Sequence, residues 1–163
     1  MEKNKVATEY LSFSRSPVRP YKKKVRLIKN FVEFDNFAKN LIPKEEPVAL
    51  LLSGVDSASL TKYLAPGSLC ITVSFPEGLP KYDESGFASS LTPKNCTHET
   101  KKVTKEEMWE NLDLLLKDSL SPHTTCTPGM FSGFLLAKER GFNKVISGVM
   151  ADSHYGSYFY LKK

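Results

Sequence analysis

The side chains best placed to do chemistry in this 163-residue chain lie in two short runs. The first is Ser53-Gly54-Val55-Asp56-Ser57, directly after the apolar Ala49-Leu50-Leu51-Leu52. The second is Ser147-Gly148-Val149-Met150-Ala151-Asp152, directly after Lys144-Val145-Ile146. A short, purely apolar run before a small-residue turn suits a strand buried on both faces of a parallel sheet. Gly54 permits a tight turn, and Ser57 is placed to cap a helix whose apolar side is Ala58, Leu60 and Leu64. Strand, turn and helix start together form a phosphate cradle: turn N–H groups point at the anion, and the helix dipole favours negative charge. Asp56 would repel phosphate, so its carboxylate makes sense there as a ligand for the Mg²⁺ that accompanies a nucleotide. The plainer reading is a strand–turn–helix with an acid at a helix N-terminus, where it is mildly stabilising anyway.

If the strands carrying the two runs are neighbours, Asp56 and Asp152 face each other across a crevice. Two carboxylates with nucleotide phosphates make a reasonable Mg²⁺ site. The plainer reading of Asp152 is a loop aspartate bonding its own backbone. Cys96-x-His98 and His123-x-x-Cys126 invite a zinc reading. The first spacing is unusually tight for structural zinc and no paired CxxC exists, so zinc is not the preferred reading.

The elements that must position these runs follow from pattern and punctuation. Residues 30–42 read as a helix with an apolar stripe of Phe31, Val32, Phe34, Phe37, Ala38 and Leu41, stopped by Pro43. Pro47 introduces the first strand, 47–52. Pro66-Gly67 marks a turn, and Leu69–Phe75 is a second strand. Tyr82-Asp83-Glu84-Ser85 opens a helix to about Leu91, and Thr97–Val103 alternates enough for a third, weaker strand. Thr104 and Glu107 form a capping box for a helix carrying Met108, Trp109, Leu112, Leu115 and Leu116, with Met108 and Trp109 expected in the core. Thr127-Pro128 starts the next helix, which Gly141 ends after Arg140. Lys144–Ser147 is the fourth strand. Strands alternating with helices predict a three-layer α/β/α fold on a mostly parallel sheet, with ligands outside the carboxyl ends of the strands.

The formal net charge of +5 points to anionic ligands such as nucleotide, pyrophosphate or nucleic acid. Part of the excess lies in Arg19, Lys22, Lys23, Lys24, Arg26 and Lys29, within a polar segment broken by Pro17 and Pro20. Residues 1–29 therefore read as a basic arm packing on a single domain, 30–163. Such a basic run is more often a solvated face than a binding arm. Three dispersed cysteines, Cys70, Cys96 and Cys126, are not a disulfide framework and fit a reducing cytoplasm. No secretory signal opens the chain, and no apolar run reaches the roughly 20 residues of a membrane span.

Leu51–Ser57 resembles the PP-loop of N-type ATP pyrophosphatases, written SGGxDS. Val145–Tyr158, reading VISGVMADSHYGSY, resembles the SGxGADExFGGY segment of the asparagine synthetase synthetase domain. Thr72-Val73-Ser74-Phe75 followed by Tyr82-Asp83-Glu84 is similar to that family's second strand and its DE-containing helix. Thr127-Pro128-Gly129-Met130 and the helix to Arg140 sit where the family has the helix leading into its second motif. The order is collinear from about Phe31 to Lys163.

The resemblance implies the adenine nucleotide alpha hydrolase-like (HUP, Rossmann-like) fold, with ATP and Mg²⁺ bound. It implies adenylation of a carboxylate with release of pyrophosphate, then displacement of AMP by an amine. Carried over by position, Ser53, Gly54, Val55 and Ser57 would hold pyrophosphate, Asp56 and Asp152 would bind Mg²⁺, and Ser74, Phe75, Ser147 and Gly148 would line the AMP pocket. The chain departs from the pattern in four ways. The second glycine of SGGxDS is absent. Val149 stands at the family's acidic position and has no proton chemistry. No glutaminase domain is seen and no cysteine follows Met1, which implies an external amine or an ammonia-supplying partner. No counterpart of the family's further helical region is seen, which implies a pocket-completing partner. The leading reading is an ATP-dependent ligase acting on a small carboxylate. A catalytically degenerate nucleotide-binding or interaction module is the second. An RNA-associated enzyme, supported only by the basic segment, is the third.

Overall fold

The computed structural model describes residues 30–77, 83–118 and 127–148. The basic arm, Tyr82, His123, Cys126, Val149 and Asp152 lie outside the described residues. The first helix, α1, spans Phe31–Leu41; Asn30 caps it, accepting the Glu33 N–H at 2.9 Å. Of its predicted stripe, Ala38 is buried and Phe34 half-buried, but Val32 and Phe37 are exposed. The inward face is narrower than the periodicity indicates, and it extends one residue beyond the helix to buried Ile42.

Strand β1 is Ala49–Leu51, followed by the one-turn helix α2, Val55–Ala58. Strand β2 is Leu69–Ser74, helix α3 is Ser85–Leu91 and strand β3 is Thr97–Lys102. Helices α4, Lys105–Asp118, and α5, Thr127–Glu139, precede strand β4, Val145–Ser147. All three strand pairings are parallel and the order is β3-β2-β1-β4.

The period-two rule of strands sorts the core. Val48, Leu50, Leu52 and Cys70 face one side, with Leu64 and Ala88. Ala49, Leu69 and Ile71 face the other, against Leu136 and Ala137 of α5. Helix α1 joins the first side through Tyr63, Leu60 and Ile146. Helices thus cover both faces, giving the α/β/α layering expected of alternating strands and helices. Leu50, Leu52 and Ile71 are essentially fully buried, each contributing roughly 1.5–3 kcal/mol relative to exposure.

Gly133 of α5 is there for close approach. A Cβ on Gly133 would fall 2.7 Å from Leu51 Cδ2 and 3.3 Å from Val73 Cγ2, so α5 lies directly on the sheet. Gly133→Ala is expected to destabilise the fold by about 1–3 kcal/mol through overpacking. Urea unfolding measures it, and an unchanged midpoint would contradict the close packing. Gly141 ends α5 at φ 83°, with Gly141 N–H on Lys138 O and Phe142 N–H on Ala137 O. These are the two hydrogen bonds of a Schellman stop.

Two expectations for α4 are corrected. Trp109 is 61% exposed instead of buried. The helix packs chiefly on α5, through the side bearing Glu107 and Asn111, and that turns Trp109 outward. The capping box forms only by half: Glu107 N–H donates to Thr104 Oγ1 at 3.2 Å. The Glu107 carboxylate instead accepts the Ser132 hydroxyl at 2.9 Å and pairs with Lys101 at 3.0 Å.

Candidate functional site

After β1 the chain runs outward to β2 and β3, then returns to place β4 on the other side of β1. Strand order therefore reverses between β1 and β4, and the crevice of such a sheet opens at the carboxyl ends of those two strands. Both sequence runs leave the sheet there, since Leu51 pairs in register with Ser147. The neighbour relation on which the facing of the two runs depends is present.

The contact between the runs is close. A Cβ on Gly148 would lie 2.7 Å from the Ser57 backbone nitrogen and 3.0 Å from both the carbonyl carbon and Cβ of Asp56. Only a residue without a side chain fits against that backbone. Gly54 is different. Its φ of −72° is one that any residue adopts, so the turn does not require glycine conformationally. Nothing lies within 4 Å of where its Cβ would be, and the space before the loop is open.

The helix cap expected at Ser57 is not formed. Gly54 is the cap of α2 and contributes no side chain, while Ser57 sits inside the first turn. The buried Ser57 hydroxyl accepts the Ser53 N–H at 2.9 Å and donates to Gly54 O at 3.0 Å. It braces the loop from within. With only Ser53 and Gly54 between Leu52 and the helix, the loop is short enough for that brace to close it. The N–H groups of Val55, Asp56 and Ser57 have no intrahelical acceptor, being the first-turn donors of a helix. Val55 is 79% exposed, and the half-buried Asp56 has no ion-pair or hydrogen-bond partner for its carboxylate among the described residues.

The loop is held from behind by a chain of side chains across three strands. Thr72 Oγ1 donates to Leu52 O at 2.8 Å, immediately before the loop. A hydroxyl has one proton, so Thr72 must accept from His98 Nε2, 2.9 Å away on β3, which places the ring proton on that nitrogen. Burial lowers the His98 pKa, in keeping with a neutral ring. Cys96 Sγ lies 3.5 Å from Ala65 O, so the Cys96–His98 pair is engaged in structural bonds.

At the end of β2, Ser74 is buried and Phe75 is 41% exposed. The Phe75 ring rests on α5: a Cβ on Gly129 would be 2.5 Å from Phe75 Cζ. Asp83 accepts the Ser85 N–H at 2.9 Å. That bond first, and then Ser74 and Lys102, hold its carboxyl below the usual range. The sequence reading missed Gly129 as a packing partner. A glycine in the first turn of an otherwise apolar helix was the available signal.

A basic cluster joins Lys39 in the last turn of α1, Lys44 just after it, and Lys62 on the stretch that leads into β2. There Asp35 accepts from Lys39, Lys62 and Tyr63, which hold its carboxyl well below the usual range. Two of the three lysines are thus engaged in a surface ion-pair cluster.

A family model described as Asparagine synthase matches residues 35–163. The chain belongs to the asparagine synthase family. The match spans both runs and every strand of the sheet. Membership supports a nucleotide-binding function of the asparagine synthetase type. Comparison with curated proteins and with solved structures finds no match. Among the residues inferred from the family pattern, Ser53, Gly54, Val55, Asp56, Ser57, Ser147 and Gly148 meet at the β1/β4 crevice. Ser74 and Phe75 stand at the end of the adjoining strand. Asp152, the second carboxylate of that pattern, lies outside the described residues. No helix among the described residues is long and apolar enough to cross a membrane.

Proposed function

We propose that this asparagine synthase family protein binds Mg-ATP in the β1/β4 crevice and adenylates a small carboxylate-bearing acceptor. The carboxylate oxygen attacks the α-phosphorus, the bond to the β-phosphate oxygen breaks, and pyrophosphate leaves. An amine, supplied free or by a partner protein, then attacks the activated carbonyl and AMP leaves. The observation that carries the reading is the seating of Gly148 on the Asp56–Ser57 backbone beside the open space before Gly54. It joins the two family motifs at the one place where a parallel sheet offers a crevice.

The residues fit the ligand. The first-turn N–H groups of Val55, Asp56 and Ser57 are donors for phosphate oxygens. Asp56 offers a hard oxygen ligand, and Mg²⁺ typically takes one or two carboxylates with substrate phosphates and water completing its shell. When bound, the cation neutralises phosphate charge. Asp152 is the second carboxylate in this proposal, and Ser74, Phe75, Ser147 and Gly148 border the nucleoside. Such chemistry rests on positioning and charge neutralisation, so it asks little of proton-transferring side chains.

A second reading, a nucleotide-binding module without turnover, is favoured by the Ser57 hydroxyl. Its bonds to Ser53 N–H and Gly54 O use it inside the shortened loop. Calorimetric titration of ATP with Mg²⁺ into the intact protein tests the nucleotide site. Saturable binding is expected, weakened when EDTA removes the metal. Absence of binding by folded protein would overturn both readings. Pyrophosphate release across a panel of carboxylates separates them.

A further inference from the structure

The interface between α4 and α5 contains a polar chain that the nucleotide site does not account for. Asn111, 3% exposed, donates through Nδ2 to Pro128 O at 3.0 Å and to Ser132 Oγ at 2.7 Å. Ser132, fully buried, donates in turn to Glu107 Oε1 at 2.9 Å. That carboxylate is paired with Lys101 on β3 at 3.0 Å. No buried side-chain nitrogen or oxygen among the described residues is left without a partner. A buried amide and hydroxyl are costly to desolvate, and a fully satisfied network of them fixes one packing arrangement.

What that arrangement fixes is the first turn of α5. Pro128, whose carbonyl Asn111 holds, is followed by Gly129, and Gly129 is the surface on which the Phe75 ring lies. Met108, one turn before Asn111 on the same helix, puts its sulfur 3.7 Å from the same point. The ring edge thus meets α5 at Gly129, beside Met108 of α4, and Phe75 stays 41% exposed just past the carboxyl end of β2. We propose that Asn111, Ser132 and Glu107 are positioning residues that hold the first turn of α5 beneath Phe75 and so set the wall against which a purine base stacks. The inference rests on the proposed nucleotide site and deepens it. None of the three residues touches the nucleotide, so they act only through Gly129 and Phe75.

The test compares two titrants on the intact chain, each with Mg²⁺: ATP, which has a base, and inorganic tripolyphosphate, which has none. Asn111→Ala is expected to weaken ATP about tenfold, the loss of roughly one base-stacking contact. Tripolyphosphate should stay within about twofold, since the β1 and β4 loops are untouched. Phe75→Ala should show the same selective loss, and combining it with Asn111→Ala should add little, because the two act through one contact. If Asn111→Ala does not fold, Asn111→Leu with Ser132→Ala replaces both polar partners by apolar groups and leaves Glu107 with Lys101. That pair should reproduce the selective loss.

Equal weakening of both titrants, or of neither, would overturn the positioning role while leaving the nucleotide site standing. An intact protein that takes tripolyphosphate and ATP with equal affinity would also overturn it, since no base wall would then exist. Binding of neither titrant by the folded, unmutated protein would instead sink the nucleotide reading, and the positioning role with it.

Discussion

Asp56→Ala is expected to reduce the affinity for Mg-ATP by about 100-fold or more. Loss of a group that merely orients a metal ligand already costs 10–100-fold, and Asp56 is proposed to touch the cation itself. Asp56 is half-buried in the first turn of α2, its backbone and Cβ against Gly148, and its carboxylate has no cationic partner among the described residues. It is a negative charge at a site proposed for phosphates, so only a bridging cation makes it favourable to binding. The same substitution should therefore act in the opposite direction without metal. In EDTA, Asp56→Ala should bind ATP as well as, or better than, the intact protein, because the repulsion is gone. Its cost to the fold should stay within about 1 kcal/mol, the usual worth of an acid at a helix N-terminus. Calorimetry with and without Mg²⁺ reads both signs. Equal weakening under the two conditions would show that Asp56 shapes the loop and does not engage a cation.

Gly148→Ala should do more damage than its single methyl group suggests. The added carbon meets backbone on the opposing loop, 2.7 Å from Ser57 N, and backbone cannot swing aside as a side chain can. The loops must separate, and the three-residue pairing of β4 with β1 ends at the preceding residue. A stability loss of about 1–3 kcal/mol is expected from overpacking, together with loss of Mg-ATP binding. Gly54→Ala is the matched control. Its φ is ordinary and its Cβ would meet nothing within 4 Å, so the fold should tolerate it to within about 0.5 kcal/mol. Yet that methyl would stand in the open space before the loop, and ATP binding should fall without a stability change. Urea unfolding paired with calorimetry distinguishes the two. If Gly148→Ala leaves stability and binding intact, the two runs do not form one site.

Residue patterns carried the fold a long way, and their failures share a cause. Ala49-Leu50-Leu51-Leu52 read as a doubly buried strand because every side chain is apolar, and Ala49 and Leu50 do face opposite cores. Pro66-Gly67 and Gly141 marked a turn and a helix stop, and both glycines have positive φ. The collinear motifs pointed to the asparagine synthase family, and the family model covers residues 35–163. Trp109 was misplaced because periodicity says that a helix has an apolar side, not which neighbour covers it. The Glu107 carboxylate was misassigned because a local capping bond competed with Ser132, 25 residues away. The Ser57 cap failed because the helix started three residues earlier, with Gly54 as its cap, and the Ser57 hydroxyl then found Ser53 and Gly54 within reach.

The sequence by itself determined the order of strands and helices, the strand–helix alternation that implies a parallel sheet, and the small-residue runs that follow β1 and β4. These are local properties, written in apolar periods of two and 3.6 and in the backbone limits of glycine and proline. Only the tertiary structure decided that β4 lies beside β1, that Gly148 rests on the Asp56–Ser57 backbone, and that Phe75 meets Gly129 next to the Pro128 carbonyl held by Asn111. Each joins residues far apart in the chain, and a contact between distant residues leaves no period in the sequence between them. It is chosen by which pairs of surfaces, once folded, fit without clash and leave no buried polar group alone.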